Sequence, residues 1–166
     1  TSSNGGGIYN EGSGTMTSTK PTIRGNKGGD NGGGIYNLGT MTINNSTVSD
    51  NTTSGIGGGI FTYDDSSVGL ANALIAGNMA SIRPDCRGVL TSLGHNLIGD
   101  TTGCSFTPAT GDLVNVGPML GSLQDNGGPT LTHALSERSR AIDARDDNQA
   151  PSSDPRGIRR PQAAAK

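Results

Sequence analysis

The chain has 166 residues, 30% hydrophobic and only 3% aromatic with no Trp, enough for one domain but not for a broad globular core. Its 28 glycines and 8 prolines stay below the ~25–30% at which aperiodic chains read as disordered, and here the glycines are periodic. A formal net charge of −2 argues against a general nucleic-acid binder, and no apolar run approaches the ~18 residues of a membrane span.

The first predicted element opens at Asn4. NGGGIYN at residues 4–10 returns letter for letter at 31–37, and IGGGIFT follows at 56–62. Glycine is the residue most costly to order, so three in a row at nearly equal intervals predict a tight corner made at the same place on every turn. Three apolar columns share that interval. Ile8, Ile35 and Ile60 are spaced by 27 and 25 residues, and Met16, Met41 and Val68 by 25 and 27. Ile23, Val48 and Ile75 repeat the 25 and 27 spacing, and Ile98 extends that column by 23. The pieces between, such as TMTIN and STVSD, are short, β-branched and alternating, with no helical period. Three short strands per ~25 residues, each in register with its counterpart one repeat later, describe an all-β fold. The expected architecture is a right-handed parallel β-helix of about four turns over residues 1–105.

Asn26, Asn51 and Asn78 end the third strand of successive turns. Stacked side-chain amides can hydrogen-bond along such a column, either as an internal or corner ladder or as an exposed row of solvated turn residues. The two cysteines, Cys86 and Cys104, are 18 apart and flank NLIGD. An even pair at this separation in a Gly/Asn/Thr-rich chain reads as a disulfide, worth about 3 kcal/mol by chain entropy.

From about Phe106 the period disappears, prolines multiply (Pro108, Pro118, Pro129, Pro151, Pro155, Pro161) and charges concentrate. Residues 106–166 are therefore expected to form an irregular extension or cap packed on the coil, with NGGPT (126–130) as a turn and THALSERS as a short helical turn. Residues 1–132 carry a net charge of −4 and residues 133–166 a net charge of +2. Arg138, Arg140 and Arg145 are the candidate interface cations. The chain begins at Thr1 without Met and reads as a processed or trimmed piece. Its first turn then needs a cover, from upstream sequence or from the C-terminal segment of a neighbouring copy. The second arrangement repeats without closing and gives filaments.

Catalytic chemistry finds little support. Polysaccharide cleavage needs clustered carboxylates, or Arg/Lys with a calcium site, on neighbouring turns. Asp64 and Asp65 are the one acidic pair inside the repeats; Asp30 and Asp50 hold turn positions elsewhere. Tyr9, Asn10, Tyr36 and Asn37 stack as a polar ladder, and His95 has no evident partner for a metal or a proton relay. No cofactor and no metal is expected. The doublets Thr15/Thr17 and Thr40/Thr42 form only two of the Thr rows that ice-binding solenoids use. Asn44, Asn45 and Asn51 occupy glycosylation sequons, and RGIRR (156–160) is a basic run that suits a solvated tail.

The repeat NGGGIYN…GTMTINNSTVSDN resembles those of bacterial right-handed β-helix surface proteins that carry interchangeable C-terminal envelope anchors. DCRGVLTSLGHNLIGDTTGCSF, LGSLQDNGGPTLTHAL, RAIDA and DPRGIRRPQ follow in the order that family shows. Chlamydial polymorphic outer-membrane protein repeats are a more distant likeness. The family carries Gly-Ser-Pro before Ala-Ile-Asp where this chain has Arg138-Ser139-Arg140, and it continues past Arg-Pro-Gln into a closing segment and an anchor. The resemblance implies an extracellular or cell-surface structural protein without enzymatic activity, partnered by itself, the cell envelope or a glycan. The alternative is a carbohydrate-binding or polysaccharide-degrading β-helix acting through a Tyr/Asn/Asp face that includes Tyr36 and Tyr63.

Overall fold

A computed structural model of the chain describes residues 4–129, 131–146, 152–154 and 156–159. Thr1, Thr130, Pro151, Pro155, Arg160 and Pro161 lie outside the described residues. The first coil contains β1 (Ile8–Asn10), β2 (Thr15–Thr19), β3 (Thr22–Arg24) and β4 (Lys27–Gly28). The second repeats it with β5 (Ile35–Asn37), β6 (Thr40–Asn44), β7 (Thr47–Ser49) and β8 (Thr52–Thr53). The third holds β9 (Ile60–Thr62), β10 (Ser67–Ala71) and β11 (Leu74–Ala76). The fourth holds β12 (Cys86–Ser92) and β13 (Leu97–Ile98), followed by β14 (Cys104–Thr107) and β15 (Leu113–Val114) on top. Every strand in these coils pairs parallel with its neighbours one coil away, which makes the fold a β-solenoid of about four turns.

The registers show why this sequence coils. On the first face Ile8 pairs Ile35, Ile35 pairs Ile60 and Ile60 pairs Cys86. On the second, Met16, Met41, Val68, Leu90 and Phe106 follow one another. On the third the order is Ile23, Val48, Ile75, Ile98 and Val114. Strand alternation turns these side chains inward together, and Ile35, Val48, Ile60, Val68, Ile75 and Ile98 are fully buried. So narrow an interior needs only a few aliphatic side chains per coil, so the low hydrophobic fraction suffices.

The glycine triplets divide their work by position. The first of each, Gly5, Gly32 and Gly57, has φ of 73°, 66° and 70°, a conformation L side chains rarely adopt. The second and third lie against backbone and amides of the adjoining coil. A Cβ on Gly33 would stand 2.5 Å from the Gly58 carbonyl oxygen, and one on Gly34 2.9 Å from Asn51 Nδ2. The corner itself is laddered, with the N–H groups of Gly32, Gly33 and Gly34 donating to the carbonyls of Ile56, Gly57 and Gly58.

Two expectations for the C-terminal part need correction. Phe106 does not leave the coil: it pairs with Leu90 in β14, and Leu113 and Val114 still pair with Leu97 and Ile98. Parallel pairing survives as far as Val114 because Pro108 falls in the corner between β14 and β15, where no ladder donor is missed. THALSERS is not helical along its length: only Ser136–Ser139 closes a single turn, with Ser139 N–H donating to the Ser136 carbonyl at 2.8 Å. Its first part is β17 (Thr132–Leu135), antiparallel to β16 (Leu120–Gln124), and residues 126–129 form the bend between them. Residues 136–146 then dock on the side of the coil. There Asp146 N–H donates to Asn72 Oδ1 at 2.8 Å and His95 Nδ1 meets the Ala144 carbonyl at 2.8 Å.

Val48 sits fully buried between Ile23 and Ile75. Val48→Asp is expected to destabilise by about 3 kcal/mol or more, since no described partner offsets the desolvation of its carboxylate, whereas Val48→Ile should cost less than about 1.5 kcal/mol. Urea unfolding of both variants checks this, and equal midpoints would place Val48 outside the core.

Candidate functional site

Polar side chains inside the coil are joined from turn to turn. The backbone N–H of Asn26 (3.1 Å) and its Nδ2 (2.9 Å) both donate to Asn51 Oδ1. Asn51 repeats the pair onto Asn78 Oδ1 at 3.1 and 2.9 Å. The remaining Nδ2 hydrogens reach back to strand carbonyls, Asn51 to Ile23 at 2.8 Å and Asn78 to Val48 at 3.0 Å. The column is internal: Asn51 is completely buried and Asn78 nearly so. The glycosylation sequon at Asn51 is therefore closed in the folded chain.

Asp85 ends this ladder, and nothing in the repeat pattern marked it. Ile60 pairs with Cys86, so Asp85 occupies the place of the third glycine of the triplet. Its Oδ1 accepts Asn78 N–H at 3.0 Å and Nδ2 at 2.9 Å, and its Oδ2 accepts Asp100 N–H at 2.9 Å. A carboxylate accepts without donating, which suits the last member of a chain of donors. Burial pushes its carboxyl above the usual range; the bonds from Asn78 and Asp100 oppose this, and the Asp100 charge reinforces it. Asn96 and Asp112 repeat the device, with Asn96 N–H and Nδ2 donating to Asp112 Oδ1 at 2.8 and 3.0 Å. In the first two coils Asn10 Nδ2 donates to Asn37 Oδ1 at 2.7 Å.

Outside the first face runs an aromatic column. The rings of Tyr9 and Tyr36 stack at 5.4 Å and 9°, and those of Tyr36 and Phe61 at 4.9 Å and 4°. Arg87, next in register, lies 4.8 Å from the Phe61 centroid and ends the stack as a cation over a ring. Its Nη2 pairs with Asp64 at 2.8 Å and its Nη1 donates to the Thr62 carbonyl at 2.7 Å. Tyr63 is tilted against Phe61 and half-exposed, whereas Tyr36 is only 8% exposed. The faces of Tyr36 and Phe61 are thus taken by the stack, which leaves the edges of this row and the outer side of Tyr9 to any sugar. Burial, with Tyr9 and Tyr63 nearby, raises the Tyr36 phenol above its ordinary range.

The sulfurs of Cys86 and Cys104 lie at bonding distance, with Cα atoms 5.6 Å apart, and join β12 to β14. Arg138 and Arg140 are exposed; Arg145 lines a cavity on the flank of the coil. Asp50 pairs with Arg24 at 2.8 Å, and Thr15 and Thr17 pair with Thr40 and Thr42. In the basic run Arg156 is held by Asp154 at 2.6 Å. Among the described residues no group of three His, Cys, Asp or Glu is placed to hold a metal ion. No protein-family model, curated protein or solved structure matches the chain.

Asp85→Asn tests the ladder end. Its amide would point a donor at the Asp100 N–H, and the loss is expected to be about 1–3 kcal/mol. Because the folded carboxyl titrates above its unfolded value, the folded state holds the proton longer, and the wild-type contribution falls as pH rises through the folded pKa. The stability difference between wild type and Asp85→Asn should therefore shrink from about pH 3 towards pH 7 in urea titrations. A difference that grows with pH would contradict this sign.

Proposed function

We propose that the chain is a non-enzymatic structural β-solenoid of the extracellular space or cell surface that extends by stacking on a second copy of itself, coil upon coil. The observation that carries this reading is the matched polarity of the two ends. At one end the outer edges of β1, β2 and β3 have no partner among the described residues, and Met16 is 36% exposed beside them. At the other, β14 and β15 are likewise edge strands. All the strand pairings between coils are parallel, so the tail of one copy would meet the head of the next in the same orientation as successive coils within one copy. The cysteine pair supports an oxidising compartment. Arg138, Arg140 and Arg145, expected at this contact, belong to the segment on the flank of the coil, so the strand edges and not these cations carry the proposed joint.

Negative-stain microscopy with light scattering on the 166-residue chain tests it. Unbranched rods that lengthen with protein concentration are expected, and Met16→Lys, which puts a charge at the exposed edge, should shorten them to single copies. A monodisperse wild-type monomer at high concentration would overturn the reading.

A further inference from the structure

The third face of the coil has an outer surface that changes character along the axis. Next to each inward residue an outward one stands in register: Thr22, Thr47, Leu74, Leu97 and Leu113. The leucine half is roofed by the C-terminal segment, and Leu97 is only 4% exposed. Over the threonine half the β16–β17 hairpin stands off, and a cavity of about 490 Å³ remains between them. Clefts between packed units, apolar in the floor with a few convergent polar groups, are where small ligands bind, and this volume suits a molecule of monosaccharide to disaccharide size.

The charges around the cavity do not cancel. Asp154 is spent on Arg156: its Oδ2 accepts Nε at 2.8 Å and Nη2 at 2.6 Å, while its Oδ1 accepts the N–H groups of Arg156 and Ile158 at 2.9 and 3.0 Å. Lys20 then brings a further positive charge with no acceptor among the described residues. Its backbone is held at φ 66°, in a column whose next members are Asn45 at 52° and Asn72 at 50°. Asn suits that conformation and Lys does not, so the ammonium is carried here against backbone preference. His133 also lines the cavity. Its Nδ1 donates to the Gly121 carbonyl at 2.7 Å, and its buried Nε2 has no hydrogen-bond partner. An uncancelled cation and the hydroxyls of Thr22 and Thr47 beside leucine side chains call for a ligand with a carboxylate, hydroxyl groups and a C–H face.

We propose that this cleft between the coil and the C-terminal hairpin binds a sugar acid of the uronate class, its carboxylate at Lys20 and its hydroxyls at Thr22 and Thr47, beside the His133 ring. The proposal does not depend on self-assembly. The test is titration of the chain with glucuronate, followed by calorimetry and by the NMR signals of the His133 ring. Saturable binding that moves those signals is expected. Lys20→Asn, which removes the charge and relieves the backbone, should weaken binding about tenfold or more, and Lys20→Gln should do the same. Glucose, which lacks the carboxylate, should fail to bind, and inorganic sulfate, which lacks the hydroxyls and C–H face, should compete only weakly. Absence of saturation by glucuronate, an unchanged affinity in both Lys20 variants, or glucose or sulfate binding as well as glucuronate would each overturn the assignment.

Discussion

Asn51 accepts two hydrogen bonds from Asn26 through one oxygen, and it donates from its own N–H and Nδ2 to the oxygen of Asn78. An amide inside a coil can be satisfied this way only if a side-chain oxygen stands at the same place one coil away. That constraint sets the rest. It requires parallel in-register stacking, a nearly constant coil length and a corner where backbone lies on backbone. Gly34, whose Cβ would crowd Asn51 Nδ2, belongs to the same requirement: the third glycine of each triplet leaves room for the ladder. Buried unpaired amides are costly, so a coil out of register loses its aliphatic column and its hydrogen bonds together.

A ladder of donors must also end. The fourth coil does this on two columns at once, placing Asp85 beneath Asn78 and Arg87 against Phe61. One replaces an amide with an acceptor, the other a ring with a cation. The cysteine pair and Asp112 act in the same region, tying β12 to β14 and Asn96 to the corner before β15. Beyond it the chain turns back as a hairpin, and the charged groups gather on the flank of the coil. The first coil has no such ending among the described residues, and the two ends differ chemically even though their strand polarity matches.

The coil was legible because its signals are periodic. Ile8, Ile35 and Ile60, or Ile23, Val48 and Ile75, can be aligned by counting, since one side chain per coil must face the same interior point. The terminators were not legible for the same reason. Between Phe61 and Val68 the chain spends a corner of four residues, Tyr63 to Ser66, that the fourth coil lacks, so β12 runs through both faces and RPDC no longer looks like GGGI. Their one available signal was Cys86, which falls 26 residues after Ile60 and so keeps the repeat, but as a cysteine in a column whose earlier members are all Ile. The late exit from the coil was missed because the prolines after Phe106 looked like breakers, while Pro108 occupies a corner. Helical propensity in THALSERS lost to the hairpin, where Thr132 and Leu135 pair with Gln124 and Leu120.

A stiff interior of this kind leaves the outer surface free to vary, and the two functional readings use different parts of it: the ends for stacking and the hairpin cleft for a ligand. Both need the amide ladder to hold the coils in register. Native-state hydrogen exchange resolved by residue tests that most directly. The account predicts that the backbone N–H groups of Asn51 and Asn78, bonded to side chains and not to a strand partner, exchange only through global unfolding, with the same protection as Val48 and Ile75 in the strands beside them. Exchange at those two amides near the rate of an exposed turn, while the strands stay protected, would contradict it.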